Sequence, residues 1–259
     1  MLSFWSHRSQ PLQREFDAWF RGIPNTALCN KTLQWFSTDS PERCEPGLEN
    51  SRIDYRFNSD GYRSEEFEGS TDSVLSIGCS HTLGVGVDER DVSARIIANS
   101  LGLANLNLGW PGASNCYVSR MTYQAVPLIG PEIVVVNFAH SDRLECFDIN
   151  GRRLDYRSDA DFRDQTEGQV FRSIRSMASD YERIARFIKN FRLVASVLKG
   201  KRWVYSLNRF DEDDLAHRLP EENRVPAMQQ LDLARDQMHP GIESHRKHAE
   251  NVLKALGQV

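Results

Sequence analysis

Three residues of this chain have the types and spacing for nucleophilic chemistry: Ser80, Asp236 and His239. Ser80 sits in Gly78-Cys79-Ser80-His81-Thr82, after the apolar run Val74-Leu75-Ser76-Ile77 and before the glycine-rich Leu83-Gly84-Val85-Gly86-Val87. This order reads as a strand, a tight turn carrying a serine, and a helix. Far downstream, Asp236-Gln237-Met238-His239-Pro240-Gly241 supplies an acid and a histidine three residues apart, close enough to share one turn ahead of the last helix. A serine at a strand end with a downstream Asp/His pair is the raw material of nucleophilic acyl transfer.

Each motif also has a plainer reading. Gly-x-Ser at a strand-to-helix turn is often turn and cap chemistry, and His-Pro-Gly is a common helix start. His239, His245 and His248 lack a carboxylate or cysteine cluster at ligand spacing, so no metal is expected. Cys79, one residue before the turn apex, is expected to point away from it rather than act as nucleophile. Gly84-Val85-Gly86 lacks the lysine and hydroxyl residue of a phosphate-binding loop, so no nucleotide or other cofactor is expected.

The 259 residues carry 36 acidic and 32 basic side chains, interspersed, for a net charge of -4, which leaves no basic footprint for nucleic acid. No apolar run approaches the roughly 20 residues needed to span a bilayer. Met1 to Arg8 lack the basic and apolar regions of a signal peptide, so the expectation is a cytoplasmic protein, or a virion component if phage-encoded. The five cysteines are odd in number and form no CxxC pair, so they are read as free thiols rather than a disulfide framework or zinc knuckle.

The elements that must position these residues follow from the apolar patterning. Residues 1–70, with Trp5, Trp19 and Trp35 and one short helix around Leu12 to Phe20, read as an extension packed on a main domain of residues 71–259. From residue 71 strands alternate with helices. Strands are expected at Val74 to Ile77, Ala104 to Leu108, Glu132 to Phe138 and Arg202 to Leu207, with a weaker fifth at Met228 to Leu233. Helices are expected over Asp88 to Leu101, stopped by Gly102, over Ala113 to Val126, over about Val170 to Lys199, and over Gly241 to Leu256. Asn150-Gly151 suggests a hairpin within the polar stretch between Asp142 and Gln169. In the long helix Ile174, Met177, Tyr181, Ile184, Ile188, Phe191, Ala195 and Leu198 fall at near-heptad spacing, which fits a coiled-coil seam or, as expected here, a face on the sheet. Ile242, His245, Ala249, Val252 and Leu256 are expected inward in the last helix. The fold class is therefore α/β, a three-layer α/β/α sandwich on a central parallel sheet of about five strands. Ligands of such sheets sit beyond the carboxyl ends of the strands, where Ser80, Gly112 and Ser141 all fall.

Four segments, in this order, resemble the blocks of the SGNH (GDSL-type) hydrolase superfamily. Ser76 to Gly84 resembles the nucleophile block, and Asn107-Leu108-Gly109-Trp110-Pro111-Gly112-Ala113-Ser114-Asn115 the glycine block. Asn137-Phe138-Ala139-His140-Ser141-Asp142 sits where the asparagine block belongs, and Asp236 to Gly241 resembles the Asp-x-x-His block. The upstream Asn58-Ser59-Asp60-Gly61-Tyr62-Arg63 is similar to a lead-in of bacterial and phage members, so the resemblance covers about residues 55 to 259. Two positions depart from the pattern: Cys79 replaces the aspartate of Gly-Asp-Ser, and Ser141 aligns with the oxyanion-holding asparagine. The resemblance implies a flavodoxin-like fold and a catalytic set in which Ser80 attacks, His239 relays the proton and Asp236 orients the imidazole. It implies further that the N–H groups of Ser80 and Gly112 hold the oxyanion, with Ser141 as a third donor.

The expected activity is hydrolysis of a short acyl ester, such as an O-acetyl group on a carbohydrate or similar polar ester, with no nucleic-acid partner and no membrane span. The alternative, in another class, is a binding or assembly component of the same fold, glycan-binding or virion structural, assembling as a homo-oligomer or larger body through the N-terminal extension. A flavodoxin-like nucleotide binder is a distant third.

Overall fold

The computed structural model describes residues 28–48, 51–67, 71–147, 153–156, 179–209 and 211–257. Trp5, Trp19, the short helix around Leu12 to Phe20 and the Asn150-Gly151 dipeptide lie outside them. In chain order the elements are β1 (Thr32–Leu33), β2 (Tyr55–Arg56), β3 (Ser73–Gly78), α1 (Ser80–Leu83), α2 (Ser93–Leu101), β4 (Ala104–Gly109), α3 (Asn115–Ile129) and β5 (Ile133–Asn137). There follow β6 (Leu144–Phe147), β7 (Arg153–Tyr156), α4 (Asp180–Val197), β8 (Arg202–Ser206), α5 (Glu212–Leu215) and α6 (Ile242–Ala255).

Four strands form the central sheet in the order β4-β3-β5-β8, all parallel. Alternate residues of each strand enter two different cores, which is why these strands read as continuous apolar runs. Leu75, Ile77, Leu106, Val134 and Val136 pack with Val118 and Met121 of α3 and Phe187, Phe191 and Val194 of α4. On the other face Val74, Ile133, Val135 and Val204 meet Ile97 and Ala98 of α2 and Ala249, Val252 and Leu253 of α6. From β3 the chain crosses to β4 on one side and then back to β5 on the other. The carboxyl end of β3 is thus the topological switch point, where an open α/β sheet leaves a crevice for ligands.

Local signals account for the helix ends. Gly102 (φ 67°) and Gly130 (φ 65°) close α2 and α3 in the left-handed conformation. The hydroxyls of Ser114 and Ser179 cap α3 and α4 by accepting the N–H groups of Tyr117 and Glu182. Among the described residues α4 begins at Asp180, behind that cap, and residues 170–178 of the expected long helix lie outside them. Tyr181 is 82 % exposed instead of facing the sheet, because the buried stripe runs through Phe187, Asn190, Phe191 and Val194, with Ile184 and Ile188 at its edge. In α6 Ile242 is likewise exposed at the rim, while Ser244, His245, His248, Ala249, Val252 and Leu253 form the inner face.

The place of a fifth strand beside β8 is taken by a single parallel bridge between Tyr205 and Arg224, flanked by Tyr205 N–H to Asn223 O (2.8 Å) and Val225 N–H to Tyr205 O (2.8 Å). Met228 to Leu233 is not a strand. Its polar groups are drawn elsewhere, with the Leu231 N–H donated to the Ser244 hydroxyl at 2.9 Å. β6 and β7 pair antiparallel, Leu144 opposite Tyr156 and Phe147 opposite Arg153.

Residues before the sheet pack against its carboxyl end. Leu28, Ile53, Tyr55 and Phe57 form a cluster with Leu83 and Val85, which immediately follow the Ser80 turn. Among the described residues no helix is long and apolar enough to cross a membrane.

Candidate active site

Ser80 is the first residue of α1, placed there because β3 runs straight into the helix through Gly78 and Cys79. Gly78 is required by space: a Cβ there would lie 2.1 Å from Thr82 Oγ1 and 2.9 Å from the Asn137 carbonyl oxygen. Ser80 is only 5 % exposed, and as the first helical residue its N–H has no intrahelical acceptor. Cys79 is buried in the main core, away from the cavity described below.

The second strand end is β4. Trp110-Pro111-Gly112-Ala113 closes a turn with Ala113 N–H bonded to Trp110 O at 3.1 Å, proline at its second position and Gly112 at its third with φ 75°. That positive φ is what glycine supplies in a type II turn. Asn107 ties this end to α1, donating Nδ2 to the Thr82 carbonyl (2.8 Å) while its Oδ1 accepts the Gly109 N–H (2.8 Å).

The fourth segment curls so that acid and base present themselves together. Asp236 Oδ1 accepts the N–H groups of Met238 (3.1 Å) and His239 (3.0 Å), and Ala234 N–H reaches the His239 carbonyl at 2.8 Å. Gln237 at the apex has φ 57°, a conformation few residues other than glycine or asparagine adopt. His239 Nδ1 then lies 2.6 Å from Asp236 Oδ2, and His239 Nε2 lies 2.9 Å from Ser80 Oγ. An ionised carboxylate only accepts, so Nδ1 carries the imidazole proton and Nε2 is left to accept the serine proton. Burial alone pushes the Asp236 carboxyl upward, but hydrogen bonds from His239 and from the Thr38 hydroxyl hold it well below the usual carboxylate range.

Ser80, His239 and Asp236 are therefore joined in one hydrogen-bonded chain. Ser141 is not part of it. Its hydroxyl donates to Asp211 Oδ1 (2.6 Å), its N–H donates to Asp211 Oδ2 (2.7 Å), and Arg183 Nη1 donates to the hydroxyl oxygen at 2.5 Å. The one hydroxyl proton is committed to a buried carboxylate, so in this geometry Ser141 has no hydroxyl proton left to offer as the expected third oxyanion donor. Its neighbours alternate with it: His140 and Asp142 line the cavity above Ser80. Asn115 sets this register by gripping Ala139, with Nδ2 on its carbonyl and Oδ1 on its N–H, both at 2.8 Å.

Ser80 and His239 open into a cavity of about 420 Å³ whose walls include Thr38, His81, His140, Arg143, Arg209 and Met238. His81 lies edge-to-face with His239, ring centroids 5.6 Å apart. Burial, followed by the neighbouring His239 ring and the Arg143 guanidinium, pushes its pKa below the ordinary imidazole value. His140 is pushed the other way, chiefly by its hydrogen bond to Asp142, whose Oδ1 is 2.5 Å from Nδ1.

Thr38 escaped the reading of the sequence altogether. Its hydroxyl donates to Asp236 Oδ2 at 2.6 Å, from a polar stretch with no motif of its own. His245 and His248 lie on the buried face of α6, where His245 Nδ1 accepts the Ser93 N–H (3.2 Å) and His248 Nε2 faces Asn137 Oδ1 (3.0 Å). Among the described residues no group of three or more His, Cys, Asp or Glu is arranged to hold a metal ion.

No protein-family model matches this chain. No curated protein matches it either. Solved structures do. A catalytic mutant of an acetylxylan esterase from Geobacillus stearothermophilus is 14 % identical with a TM-score of 0.44, covering 74 % of this chain and 97 % of that one. A family 3 carbohydrate esterase from Clostridium thermocellum is 12 % identical with a TM-score of 0.42, covering 71 % and 94 %. A GDSL-like lipase from Bacteroides thetaiotaomicron is 12 % identical with a TM-score of 0.40, covering 73 % and 89 %. Among solved structures, then, the chain is similar at low identity to GDSL-type hydrolases and carbohydrate esterases.

Proposed function

We propose that this chain is a serine-dependent ester hydrolase of the GDSL type that removes a short acyl group, such as acetyl, from a carbohydrate or similar polar ester. The observation that carries this reading is the hydrogen-bonded chain from Ser80 Oγ through His239 to Asp236, at 2.9 and 2.6 Å, opening into a cavity lined mostly by polar residues. Ser80 Oγ attacks the ester carbonyl carbon as His239 Nε2 takes its proton. The tetrahedral intermediate collapses, the C–O bond to the alcohol breaks, and His239 returns the proton to the leaving oxygen. Water then attacks the acyl-serine with His239 again as base, releasing the carboxylic acid and restoring Ser80. Asp236 stabilises the imidazolium formed in both halves and holds its tautomer.

The oxyanion donors are the N–H groups of Ser80 and Gly112. Without a side-chain donor from position 141, turnover is slower than three donors would allow, since one such donor is worth about 100-fold to 1000-fold. A cavity of about 420 Å³ is at the small end for ligand sites and suits a short acyl chain on a polar alcohol.

The test is hydrolysis of p-nitrophenyl acetate by the purified protein, with a fluorophosphonate probe read by intact mass. Native protein is expected to turn over the ester and take one label, and Ser80→Ala to do neither. Full activity in Ser80→Ala would remove the mechanism, and an unlabelled, inactive native protein in a large assembly would favour the binding or assembly reading.

A further inference from the structure

The loop that carries the acid and the base is held along its length by residues from the opposite end of the chain. Arg235 pairs with buried Asp39 (Nε to Oδ1 2.8 Å, Nη2 to Oδ2 2.5 Å), donates to the carbonyl oxygens of Gln34 (2.7 Å) and Ser51, and stacks on the Trp35 ring at 3.8 Å. Its own carbonyl accepts the Glu45 N–H at 3.2 Å. Asp236 accepts the Thr38 hydroxyl, Gln237 Nε2 reaches Glu45 Oε2 at 3.2 Å, and Met238 Sδ accepts from Arg43 Nη1 at 3.7 Å. Thr38 Oγ1 is also 3.4 Å from His239 Nδ1.

The same segment is anchored to the nucleophile side. Tyr55 Oη donates to Asp39 Oδ2 at 2.6 Å and accepts the Gly86 N–H at 2.7 Å, just past the turn that carries Ser80. Arg63 lies over the Tyr55 ring at 4.4 Å and donates to the carbonyl oxygens of Gly84 (2.7 Å) and Val87 (2.9 Å). Serine turn and Asp-x-x-His loop are therefore coupled through Tyr55, Asp39 and Arg235, a path that runs outside the α/β sheet.

We propose that Thr38 is a positioning residue for the reaction, and that residues 34–48, with Ser51, act as a strap holding the Asp236–His239 loop in its working geometry. This rests on the esterase reading of the same site. Asp236 Oδ1 is saturated by two backbone N–H groups, so Oδ2 alone faces the imidazole, and the Thr38 hydroxyl is the second donor on that oxygen. With both oxygens occupied the carboxylate cannot rotate without breaking a charge-assisted hydrogen bond. Its orientation sets the direction of the His239 ring and the 2.9 Å reach to Ser80. The strained backbone of Gln237 needs such an external hold, because a left-handed non-glycine residue persists only where its surroundings over-determine it.

The decisive comparison is Thr38→Val, which keeps the shape and removes the hydroxyl, against Thr38→Ser, which restores it. With p-nitrophenyl acetate, Thr38→Val is expected to lose about tenfold to 100-fold in kcat, the range for a hydrogen bond to a charged group, with KM within about twofold. Thr38→Ser is expected to recover most of the loss. A second readout needs no turnover: the far-downfield proton NMR resonance of the imidazole proton shared by His239 and Asp236 is expected to move or broaden in Thr38→Val and to return in Thr38→Ser. Thr38→Ala serves the same purpose should the valine variant not fold. Wild-type kcat with an unmoved resonance in folded Thr38→Val, or no such resonance in the native protein, would overturn the proposal. If native protein neither hydrolyses the ester nor takes the fluorophosphonate, the esterase reading fails by itself, while the resonance still decides whether Thr38 orders the pair.

Discussion

Asp211 receives both the N–H and the hydroxyl of Ser141, at 2.7 and 2.6 Å, and so turns the residue after His140 away from Ser80. Asp211 is itself 1 % exposed and is shared with Arg183 Nη1 at 3.3 Å. Ser141→Ala is therefore expected to behave as a stability variant. Urea unfolding should show a loss of about 1 to 3 kcal/mol, the cost of leaving a buried charged acceptor short of a donor. kcat on p-nitrophenyl acetate should stay within about threefold of native, and a loss near 100-fold would instead return Ser141 to the oxyanion hole.

Asp236→Asn should leave Ser80 and His239 in place yet lower kcat by about 10⁴-fold, because an amide facing Nδ1 favours the wrong imidazole tautomer. The same substitution has a pH signature in stability. The folded pKa of Asp236 lies below the ordinary value of 3.8, against burial, because His239 and Thr38 donate to the carboxylate. Its contribution is thus present above about pH 4 and lost as pH falls through the folded value. Denaturant midpoints of native and Asp236→Asn protein should converge on acidification below pH 4.

The buried histidines give stability a second pH dependence at milder acidity. Burial pushes His245 down to about 3 and His248 to about 4, from an ordinary 6.5. The unfolded chain then binds more protons than the folded one between those limits, so stability is full above about pH 6.5 and declines as pH falls towards 4. The slope is up to about 1.4 kcal/mol per pH unit for each histidine. Urea midpoints measured from pH 7 to 4.5 should trace this fall, and His248→Gln should flatten it. A midpoint flat with pH in the native protein would contradict the buried neutral pair.

Gly109→Ala should damage the nucleophile turn from a neighbouring strand. A Cβ at 109 would lie 2.3 Å from the Leu83 amide nitrogen and 2.8 Å from the Thr82 carbonyl carbon, both backbone atoms of α1. One of the two elements must shift, at a cost of about 1 to 3 kcal/mol typical of overpacking. The fluorophosphonate labelling rate of Ser80 should fall with the thermal midpoint, and an unchanged rate would mean that the strand end yields instead of α1.

Much of the framework was legible because its signals are local. A β-branched run such as Ile133-Val134-Val135-Val136 has apolar residues for both faces of a sheet, and Gly102 stands where the helix must stop. The heptad-like spacing from Ile174 to Leu198 fixed less, since periodicity gives the existence of a face but not its phase against a neighbour. Asp180, Glu182 and the Ser179 cap start the described helix where Tyr181 already points outward.

By itself the sequence determined the alternation of strand and helix, the turn that puts Ser80 at a strand end, and the loop that puts Asp236 and His239 on one curl. Those are consequences of short-range sterics and hydrogen bonding, which composition and spacing encode directly. Only the tertiary structure decided that Ser141 serves Asp211, that Thr38 serves Asp236, and that Arg235 fastens one end of the chain to the other. A hydroxyl or guanidinium chooses its partner after loops nearly 200 residues apart have been brought together, and no local period records that choice.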